Sequence, residues 1–416
     1  MTEMVTWTCT GCALLCEDIQ VRVDNNRIEQ VEHACLKGKA RIFGCKHVAV
    51  PAVNGAGVSI DDAINEAARI LKGAKNPLLY GWSNSTSEAQ MAGIELARTL
   101  GGVLDSTSSF CQGITINEII KGTIPSCTLE EVREQADVMI FWGADPMSSH
   151  PRHLSRYSYF PRGELRQRGY EEDRTAISID VWQSRTAKIC KDMFYRIPPG
   201  GDAEFMRGLM DGLSGRVPKL SFDFDVKRIL ELAAVLKKAE FGVIFAGLGL
   251  VYSMKEDFGL LSEFMDTLNR FSNFSLIPMA GHFNMRGFNQ NLYDETGYIY
   301  RVKFVKSKAV SGVEYSVVEQ IKHGADAVLV VGSDPLASLP ASISRRLKDI
   351  PVILIDPCMN LTSQVADVTI PCSISGIDVG GTAVRMDGKT MEISPLVQGV
   401  NMSDAMIIKR IIKEVG

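Results

Sequence analysis

The amino-acid sequence predicts an α/β protein with doubly wound, mostly parallel sheets. Helix and strand signals alternate along the chain, as where the apolar run PLLYGWS is followed by SEAQMAGIELARTLGG. The predicted strands are continuous apolar runs rather than in–out alternations, which is typical of a parallel sheet covered on both faces. An internal repeat, in which two strands end on the same polar residues, is the third observation that favours this class.

The residue pattern sets the limits of the first two helices. SIDDAINEAARILKG predicts a helix because Ser59 and Asp62 form a capping pair and its apolar residues share one face. SEAQMAGIELARTLGG predicts a second helix, with Ser87 as its cap and Gly101 as its stop. The alternation continues through EVREQADVMIFWG, TAISIDV, DVKRILELAAVLKKAEFGVIFAGLG, NFSLIPM, SVVEQIKHGADAVLVVG, IPVILID and a final helix from Ser403.

The length and charge of the chain exclude several classes of protein. At 416 residues the chain is long for one hydrophobic core, so two or three domains are expected. A formal net charge of −4 without a block of Lys or Arg predicts no nucleic-acid partner and no membrane surface. No apolar stretch approaches the roughly 18 residues that span a bilayer, and the start MTEMVTWTC has no signal-peptide pattern. These features predict a cytoplasmic protein.

Two segments of the chain repeat one pattern. Residues 136–151 read ADVMIFWGADPMSSHP, and residues 325–340 read ADAVLVVGSDPLASLP. Each is followed by a strand that ends in an aspartate, Asp180 or Asp356. A glycine at a strand end lets backbone approach a ligand, hydroxyl groups can hold phosphate, and the aspartate can contact a ribose or purine. The repeat predicts two nucleotide-like ligands in pseudo-symmetric domains. The alternative is an old duplication whose turns merely fold well.

Five of the ten cysteines lie in the first 45 residues. A large chain without a secretion signal argues against a disulfide framework, so the clustered thiols predict a metal site. Cys9, Cys12 and Cys16 have the spacing C-x2-C-x3-C, which lacks the second pincer of a structural zinc site. Three close thiolates with a distant fourth favour an iron–sulfur cubane, and the fourth is Cys35 or Cys45. The scattered cysteines are interpreted as core residues: Cys127, Cys190, Cys358 and Cys372.

The cysteine head, the segment Cys35-Leu36-Lys37-Gly38 and the doubly wound body resemble the molybdenum/tungsten bis-pterin oxidoreductases, the family of formate dehydrogenases. The resemblance favours Cys35 as the last ligand of a 4Fe-4S cluster, and it implies that Lys37 lies between cluster and pterin. Sequence alone would make Lys37 a solvated loop cation. The implied domains are an iron–sulfur domain over 1–52, a first pterin-dinucleotide domain over 53–145 and 300–400, and a second over 146–299.

A closer resemblance is to the catalytic B subunits of formylmethanofuran dehydrogenases. It spans nearly the whole chain, and its landmarks are YGWSNSTSEAQ, SSFCQG, WGADPMSSHPRHLSR, IPMAGHFNMRGFNQ and DPLASLP. The sequence lacks the C-terminal β-barrel of single-chain bis-pterin enzymes, so the resemblance implies a separate small β-barrel pterin-binding subunit. A zinc amidohydrolase subunit and polyferredoxin-type electron carriers are the other implied partners.

Cys111, in SSFCQG, matches the family's metal-ligand position. The match implies molybdenum or tungsten held with two molybdopterin guanine dinucleotides; an isolated cysteine would otherwise be interpreted as packing. A thiolate before a helix start is favoured by the dipole, so a lowered pKa is expected for Cys111. Two positions depart from the family, since Gln112 replaces a usual histidine and no arginine lies near Ala280. His282 and Arg286 are the expected substitutes facing carbon dioxide or formate, although His282 can equally be a core residue.

The predicted function is the reduction of carbon dioxide to formate. A partner subunit is then expected to condense the formate with methanofuran. Condensation is expected elsewhere because this chain has no H-x-H and no H-E-x-x-H zinc motif. The alternative is a cofactor-free scaffold subunit of a bacterial formyltransferase/hydrolase complex, and a free-standing formate dehydrogenase is disfavoured by the missing barrel. The candidate cofactor-binding residues are Lys37, Gly81, Trp82, Ser83, Gly143, Asp145, Pro146, Asp180, Ser184, Gly247, Gly249, Asn284, Gly332, Asp334 and Asp356.

Overall fold

The structure is a computed structural model that describes residues 3–254 and 257–416. It divides into two compact units: unit 1 comprises residues 1–113 and 282–416, and unit 2 comprises residues 114–281. The sequence-based limit after residue 145 differs from this division, because the strand at residues 138–142 pairs inside the sheet of unit 2.

Strands and helices are numbered in chain order. The strands are β1 Glu3–Trp7, β2 Ile19–Asp24, β3 Arg27–Glu32, β4 Ala52–Val53, β5 Ala56–Gly57, β6 Pro77–Gly81, β7 Val103–Ser106, β8 Val138–Trp142, β9 Thr175–Asp180, β10 Phe194–Arg196, β11 Gly242–Ala246, β12 Phe274–Pro278, β13 Val302–Val305, β14 Lys308–Ser311, β15 Ala327–Val331, β16 Val352–Ile355, β17 Val368–Ile370, β18 Gly381–Val384 and β19 Thr390–Ile393. The helices are α1 Leu36–Phe43, α2 Ile60–Gly73, α3 Ser87–Leu100, α4 Gly113–Ile120, α5 Leu129–Gln135, α6 Pro146–Ser149, α7 Tyr170–Asp173, α8 Arg185–Ile189, α9 Asp202–Leu213, α10 Val226–Lys238, α11 Leu248–Ser253, α12 Gly259–Leu268, α13 Met285–Thr296, α14 Val317–Glu319, α15 Pro335–Ser338, α16 Ala341–Ser344 and α17 Asp404–Val415.

Unit 1 is built on a nine-stranded sheet with the order β14-β13-β7-β6-β15-β16-β17-β4-β5. Its five central strands, from β7 to β17, run parallel. Alternate side chains of β6 enter two different cores: Leu79 packs with Ile64 and Ile408, and Leu78 packs with Ile321. Because both faces are covered, the central strands are apolar throughout rather than alternating.

A small antiparallel sheet, β1-β2-β3, forms the head of unit 1 and carries the first three cysteines between β1 and β2. The head contacts the C-terminal part of the chain. Trp7 Nε1 donates to the carbonyl of Gly376 at 2.6 Å, and the backbone N–H of Met386 donates to the carbonyl of Ala13 at 3.1 Å.

Unit 2 is built on a five-stranded, wholly parallel sheet with the order β10-β9-β8-β11-β12. The indole of Trp142 lies at its centre, edge-on to Phe205 and Phe264, and donates to Asp202 Oδ1 at 2.7 Å. The two parallel sheets confirm the predicted α/β class. Within the described residues, none of the helices combines the length and the apolar composition that crossing a bilayer requires.

The predicted helix limits agree with the structure at several ends. Ser59 caps α2 through its side chain, as expected, and Ser403 caps α17. Gly101 ends α3 in the left-handed region at φ +60°. The predicted start of α3 is wrong by one residue, because Ser87 is already helical and Thr86 occupies the cap position.

Candidate functional site

Four cysteines of unit 1 lie within electrostatic reach of one another. Cys9 and Cys16 close the loop between β1 and β2, where the Cys9 N–H donates to the Cys16 carbonyl at 2.9 Å. Cys35 precedes α1 as its N-cap residue. Burial raises the pKa of the Cys9 thiol, and the neighbouring thiols of Cys16, Cys12 and Cys35 raise it further. The four residues predicted as cluster ligands are therefore grouped by the fold.

Two glycines allow the two cysteine-bearing segments to meet. A Cβ at Gly38 would lie 3.0 Å from Cys9 Sγ, and a Cβ at Gly11 would lie 2.9 Å from the carbonyl oxygen of Lys37. Any larger residue at either position would push the first turn of α1 away from the cysteine loop. The glycine that ends the segment Cys35-Leu36-Lys37-Gly38 thus has a packing reason.

The donor set of this group fits an iron–sulfur cubane. Cys9, Cys12 and Cys16 are buried and Cys35 is half-buried, so four soft ligands of one kind are present in a desolvated place. In a cubane each thiolate binds a different corner, whereas zinc needs its ligands to converge on one ion. Among the residues that the structure describes, no group of three or more His, Cys, Asp or Glu side chains is placed so that it could hold a metal ion.

Cys45 is joined to Cys358 by a disulfide that spans 313 residues, with a Cα–Cα distance of 5.6 Å. This bond corrects three expectations from the sequence: that the chain has no disulfide framework, that Cys45 is an alternative cluster ligand, and that Cys358 is a core residue. The backbone explains the pairing, because the N–H of Met359 donates to the His47 carbonyl at 2.8 Å and the loops run side by side. Spacing along the chain contains no signal for that contact. The other scattered cysteines are buried, as expected: Cys127, Cys190 and Cys372.

The charge of Lys37 acts on both the cysteine head and His282. Burial raises the pKa of the Cys12 thiol, and the positive charge of Lys37 opposes that rise. Burial also lowers the pKa of His282, and the same Lys37 lowers it further, although solvent reaches the imidazole. One exposed cation therefore faces both the thiol group and a residue at the start of the segment that leads into α13.

Cys111 and Arg286 lie on two segments that are hydrogen-bonded to each other. Ser108 Oγ donates to Asn289 Oδ1 at 3.0 Å; Ser108 precedes Cys111 by three residues, and Asn289 follows Arg286 by three residues on α13. Burial raises the pKa of Cys111 to about 11, against a hydrogen bond from the backbone of Gln112. The expectation of a lowered pKa is therefore wrong for the metal-free thiol, since desolvation outweighs the nearby backbone donor.

Arg286 is a buried cation at the start of α13, with 6% of its surface exposed. Burial lowers its pKa to about 10, while Asp294 and Asp387 act in the opposite direction. Its Nη1 is buried and makes no hydrogen bond with any part of the chain that the structure describes. A guanidinium with an open, desolvated donor is suited to bind a carboxylate.

A cavity of about 130 Å³ lies at the carboxyl ends of β6, β15, β16 and β17 in unit 1. Its wall includes Asp356, Asp404, Cys358 and Cys372. Burial raises the pKa of Asp356 to about 6, and burial likewise raises the pKa of Asp404. The cavity is smaller than the roughly 300–1,000 Å³ of complete ligand sites, so it is suited to one ring or group of a larger ligand.

Arg41, on α1, connects the head to this cavity. Its Nε donates to Thr10 Oγ1 at 3.2 Å, and its Nη2 donates to the carbonyls of Ser375 at 3.2 Å and Asn84 at 3.4 Å. Burial lowers the pKa of Arg41, and the charge of Asp356 is the largest effect that opposes this. Sequence reasoning missed Arg41, because nothing in its local sequence shows that α1 faces a sheet edge more than 300 residues away.

The two copies of the repeat have the same hydrogen bonds. In unit 2, Asp145 Oδ1 accepts from the backbone N–H of Thr186 at 3.1 Å and from its hydroxyl at 2.6 Å. In unit 1, Asp334 Oδ1 accepts from the N–H of Thr362 at 3.0 Å and from its hydroxyl at 2.6 Å. Each aspartate thus ties the loop after one strand to the loop after the next. These bonds occupy carboxylate positions that a ligand would otherwise use.

Several predicted cofactor-binding residues have side chains that are engaged inside unit 1. Trp82 is fully buried and stacks on Phe288 with ring centroids 6.2 Å apart. Asn284 donates to the Ser85 carbonyl at 3.0 Å and accepts from the Val384 N–H at 2.7 Å. Their carbonyls are engaged as well, since Gln90 Nε2 donates to that of Trp82 at 3.0 Å and to that of Asn284 at 2.9 Å.

The remaining predicted residues lie at the carboxyl edges of the two sheets. In unit 1 they are Gly81, Ser83, Gly332 and Asp356, and in unit 2 they are Gly143, Pro146, Asp180, Ser184, Gly247 and Gly249. This is the edge at which doubly wound sheets bind ligands. Asp404 and Trp182, which share these edges, were missed by sequence reasoning.

This chain is similar to known proteins over nearly its whole length. The chain is 36% identical to the B subunit of tungsten-containing formylmethanofuran dehydrogenase 2 from Methanocaldococcus jannaschii, over 98% of the chain and 97% of that relative. The chain belongs to the family of formylmethanofuran dehydrogenase B subunits. The protein of the same name from Methanococcus maripaludis is 33% identical, over 98% of this chain and 97% of the relative. No protein-family model matches the chain.

The chain is also similar to a protein with a different name. The B subunit of the formyltransferase/hydrolase complex from Methylorubrum extorquens is 27% identical over 79% of the chain and 86% of that relative. The crystal structure of the formyltransferase/hydrolase complex from that organism, in complex with methylofuran, contains a chain with a TM-score of 0.70 and 23% identity. The match covers 88% of this chain and 98% of that one, and it shows a shared fold.

Proposed function

We propose that this chain is the catalytic B subunit of a formylmethanofuran dehydrogenase, and that it reduces carbon dioxide to formate at a tungsten or molybdenum centre. The observation that supports the proposal is the grouping of four thiols in unit 1, with the charge of Lys37 acting on both Cys12 and His282. The names of two relatives at 33–36% identity include tungsten, which favours tungsten over molybdenum.

The chain offers two sets of ligands for the implied groups. Cys9, Cys12, Cys16 and Cys35 would hold a 4Fe-4S cluster, and Cys111 would hold the tungsten or molybdenum together with two molybdopterin guanine dinucleotides. When bound, these groups would pass two electrons from the polyferredoxin-type carriers to carbon dioxide, which with one proton becomes formate. Cys111 must lose its proton to serve as a ligand, which coordination to a metal ion achieves despite the raised pKa.

The residues around the thiols have distinct roles in this proposal. Arg286 binds a carboxylate oxygen through its open Nη1, and its burial strengthens the attraction because little water screens it. His282 is neutral at pH 7 because its pKa is lowered, so its imidazole can accept a proton or a hydrogen bond. The charge of Lys37 stabilises negative charge on the thiolates that it faces.

The cavity beside Arg41 would take one end of a pterin dinucleotide. Asp356 and Asp404 line it as hydrogen-bond acceptors for the N–H groups of a guanine or pterin ring, and Arg41 balances their charge. Formate would leave for a zinc amidohydrolase subunit that condenses it with methanofuran. A small β-barrel pterin-binding subunit and polyferredoxin-type carriers complete the proposed assembly, since the similar proteins are named as subunits of complexes.

Metal analysis of purified variants tests the proposal. Protein from cells supplied with tungstate should contain about four iron atoms and one tungsten per chain. The Cys111→Ala variant should lose dye-linked formate oxidation but keep its iron. Cys127→Ala is the matched control, because Cys127 is a buried cysteine of unit 2, and it should keep both metals. Unchanged dye-linked formate oxidation in Cys111→Ala would overturn the role of Cys111.

The alternative is a scaffold subunit of a formyltransferase/hydrolase complex that holds no redox metal. It is favoured by the likeness to the Methylorubrum extorquens protein and by Gln112, which is fully buried where the resembling family usually has histidine. Protein that contains neither iron nor tungsten or molybdenum after anaerobic purification would decide for the scaffold.

A further inference from the structure

Trp182 differs from the other tryptophans of the chain in its exposure. The chain has four tryptophans. Trp7, Trp82 and Trp142 are at most 2% exposed, whereas 58% of the surface of Trp182 is accessible. Trp182 follows β9 by two residues, so it lies at the carboxyl edge of the parallel sheet of unit 2. A large apolar ring at an edge that binds ligands needs an explanation.

The backbone around Trp182 is held in place. Asp180 Oδ1 accepts from the N–H of Val181 at 2.7 Å and from the N–H of Trp182 at 3.5 Å, a long contact. The carbonyl of Trp182 accepts from the N–H of Ser184 at 3.0 Å, which closes a tight turn. Arg196 Nε donates to the carbonyl of Val181 at 3.2 Å. The main chain is therefore fixed on both sides of a side chain that solvent reaches.

The repeat gives Trp182 a counterpart in unit 1. Trp182 lies two residues after Asp180 and four before Thr186; Cys358 lies two residues after Asp356 and four before Thr362. The two threonines make the same pair of hydrogen bonds to Asp145 and Asp334, so the two loops are anchored alike. Cys358 lines the cavity of unit 1. Trp182 therefore has the same loop position at the sheet edge of unit 2 that Cys358 has at the sheet edge of unit 1.

We infer that the indole of Trp182 is a stacking platform for a flat heteroaromatic ring of a nucleotide-like ligand at this edge of unit 2. The inference rests on the proposed function, because it takes the ligand to be a nucleotide. It adds the residue that binds the ring by stacking. Aromatic side chains bind base rings by stacking on their faces.

The charges at this edge select the kind of ring. Asp180 lies beside two further acids, Asp202 and Asp145, whose charges raise its pKa in addition to the larger effect of burial. Hydrogen bonds from the backbone engage Oδ1 of Asp180, so Oδ2 can accept from a ligand. An acidic edge with an aromatic face suits a ring with N–H donors, such as guanine or a pterin, better than a bare phosphate.

Fluorescence and equilibrium dialysis of the full chain, purified without tungstate or molybdate, test the inference with guanosine monophosphate as the probe. The probe should quench tryptophan emission to a saturable limit, because only Trp182 is accessible. Trp182→Leu should bind labelled probe roughly tenfold more weakly or worse, while Trp182→Phe should stay within a few fold of wild type. Ribose 5-phosphate should cause no saturable quenching.

Phe271→Leu is the matched control. Phe271 is another exposed aromatic of unit 2, 43% accessible, but it precedes β12 and so lies at the amino edge of the sheet. This variant should bind the probe as wild type does. Equal probe affinity in wild type and Trp182→Leu would overturn the stacking role. If Trp182→Leu also lost its partner subunits while its probe affinity was unchanged, Trp182 would be an interface residue instead.

The two proposals fail differently. Wild-type protein that carries iron, tungsten and a guanine dinucleotide, together with a Trp182→Leu variant of unchanged nucleotide affinity, would leave the proposed function intact and remove Trp182 from the site. Protein that binds neither the metals nor the probe would remove both.

Discussion

Thr186 donates two hydrogen bonds to a single carboxylate oxygen of Asp145, one from its backbone N–H and one from its hydroxyl. The two bonds fix the loop after β8 to the loop after β9 at the ligand edge of unit 2. Asp334 and Thr362 repeat the arrangement in unit 1. One role of the aspartates in the sequence repeat is therefore structural, because they hold two loops together in each unit.

Replacement of Thr186 by valine tests how much its hydroxyl contributes to stability. Thr186→Val keeps the shape of the buried side chain but removes the hydroxyl that donates to Asp145 and accepts from the N–H of Met147 at 3.2 Å, which should cost about 1.5–3 kcal/mol of unfolding free energy. The measurement is urea denaturation followed by circular dichroism. Thr99→Val removes an exposed hydroxyl that bonds within helix α3, and it should cost less than about 0.5 kcal/mol. Equal costs for the two variants would contradict a special role for Thr186.

The buried acids Asp105 and Asp356 predict an unusual dependence of stability on pH. Burial raises the pKa of each to about 6 from an ordinary value of 3.8. The folded state therefore holds protons that the unfolded state has released, so the unfolding free energy should fall as pH rises from about 4 to 6. Each group should contribute on the order of 3 kcal/mol to that fall.

Denaturation at pH 4.5 and 6.5 measures this effect. In Asp356→Asn the difference between the two pH values should shrink, because one of the two titrating groups is gone. Asp326→Asn is the control, since Asp326 accepts two backbone hydrogen bonds but is exposed. A wild-type protein whose stability rises between these pH values would contradict the prediction.

The contacts of Arg41 with the head and with the sheet edge of unit 1 predict that this residue stabilises both. Arg41→Gln should destabilise unit 1 by about 3–5 kcal/mol, since it leaves the buried Asp356 and Asp404 without their cation. Hydrogen exchange measured by mass spectrometry should show faster exchange in residues 8–18. Arg69→Gln is the control, because Arg69 makes only an exposed pair with Glu66 and should change neither quantity.

The disulfide predicts a count of thiols. Ten cysteines are present, of which Cys45 and Cys358 are bonded and eight carry thiols. Acid-denatured protein freed of metal should gain eight maleimide groups without reductant and ten after reduction, as read by intact mass. Cys45→Ser should gain nine groups under both conditions. Ten groups on unreduced wild-type protein would show that the bond is absent.

The fold class could be predicted from the sequence because its physical signals are local. Apolar runs such as VILI of β16 report burial on both faces, and caps such as Ser59 and Ser403 act within one helical turn. Spacing alone left Cys35 and Cys45 as alternatives for the fourth thiol, and the resemblance favoured Cys35, which the structure groups with Cys9.

The parts of the site that the sequence did not reveal depend on contacts between distant segments. Arg41 meets Asp356, and Cys45 meets Cys358, only after nine strands have assembled in an order that differs from chain order. The raised pKa of Cys111 is a further case, because desolvation is set by everything packed around the thiol. Local sequence contains the backbone donor but not the burial.

The head is held by hydrogen bonds to residues more than 360 positions later in the sequence. Trp7 bonds to the carbonyl of Gly376, Thr10 to that of Ser375, and Ala13 receives the N–H of Met386. A chain that has not yet been extended to residue 375 therefore has its cysteine loop without these three hydrogen bonds. The proposed iron–sulfur cluster would then gain its complete protein surroundings only after residues 375–386 have been made.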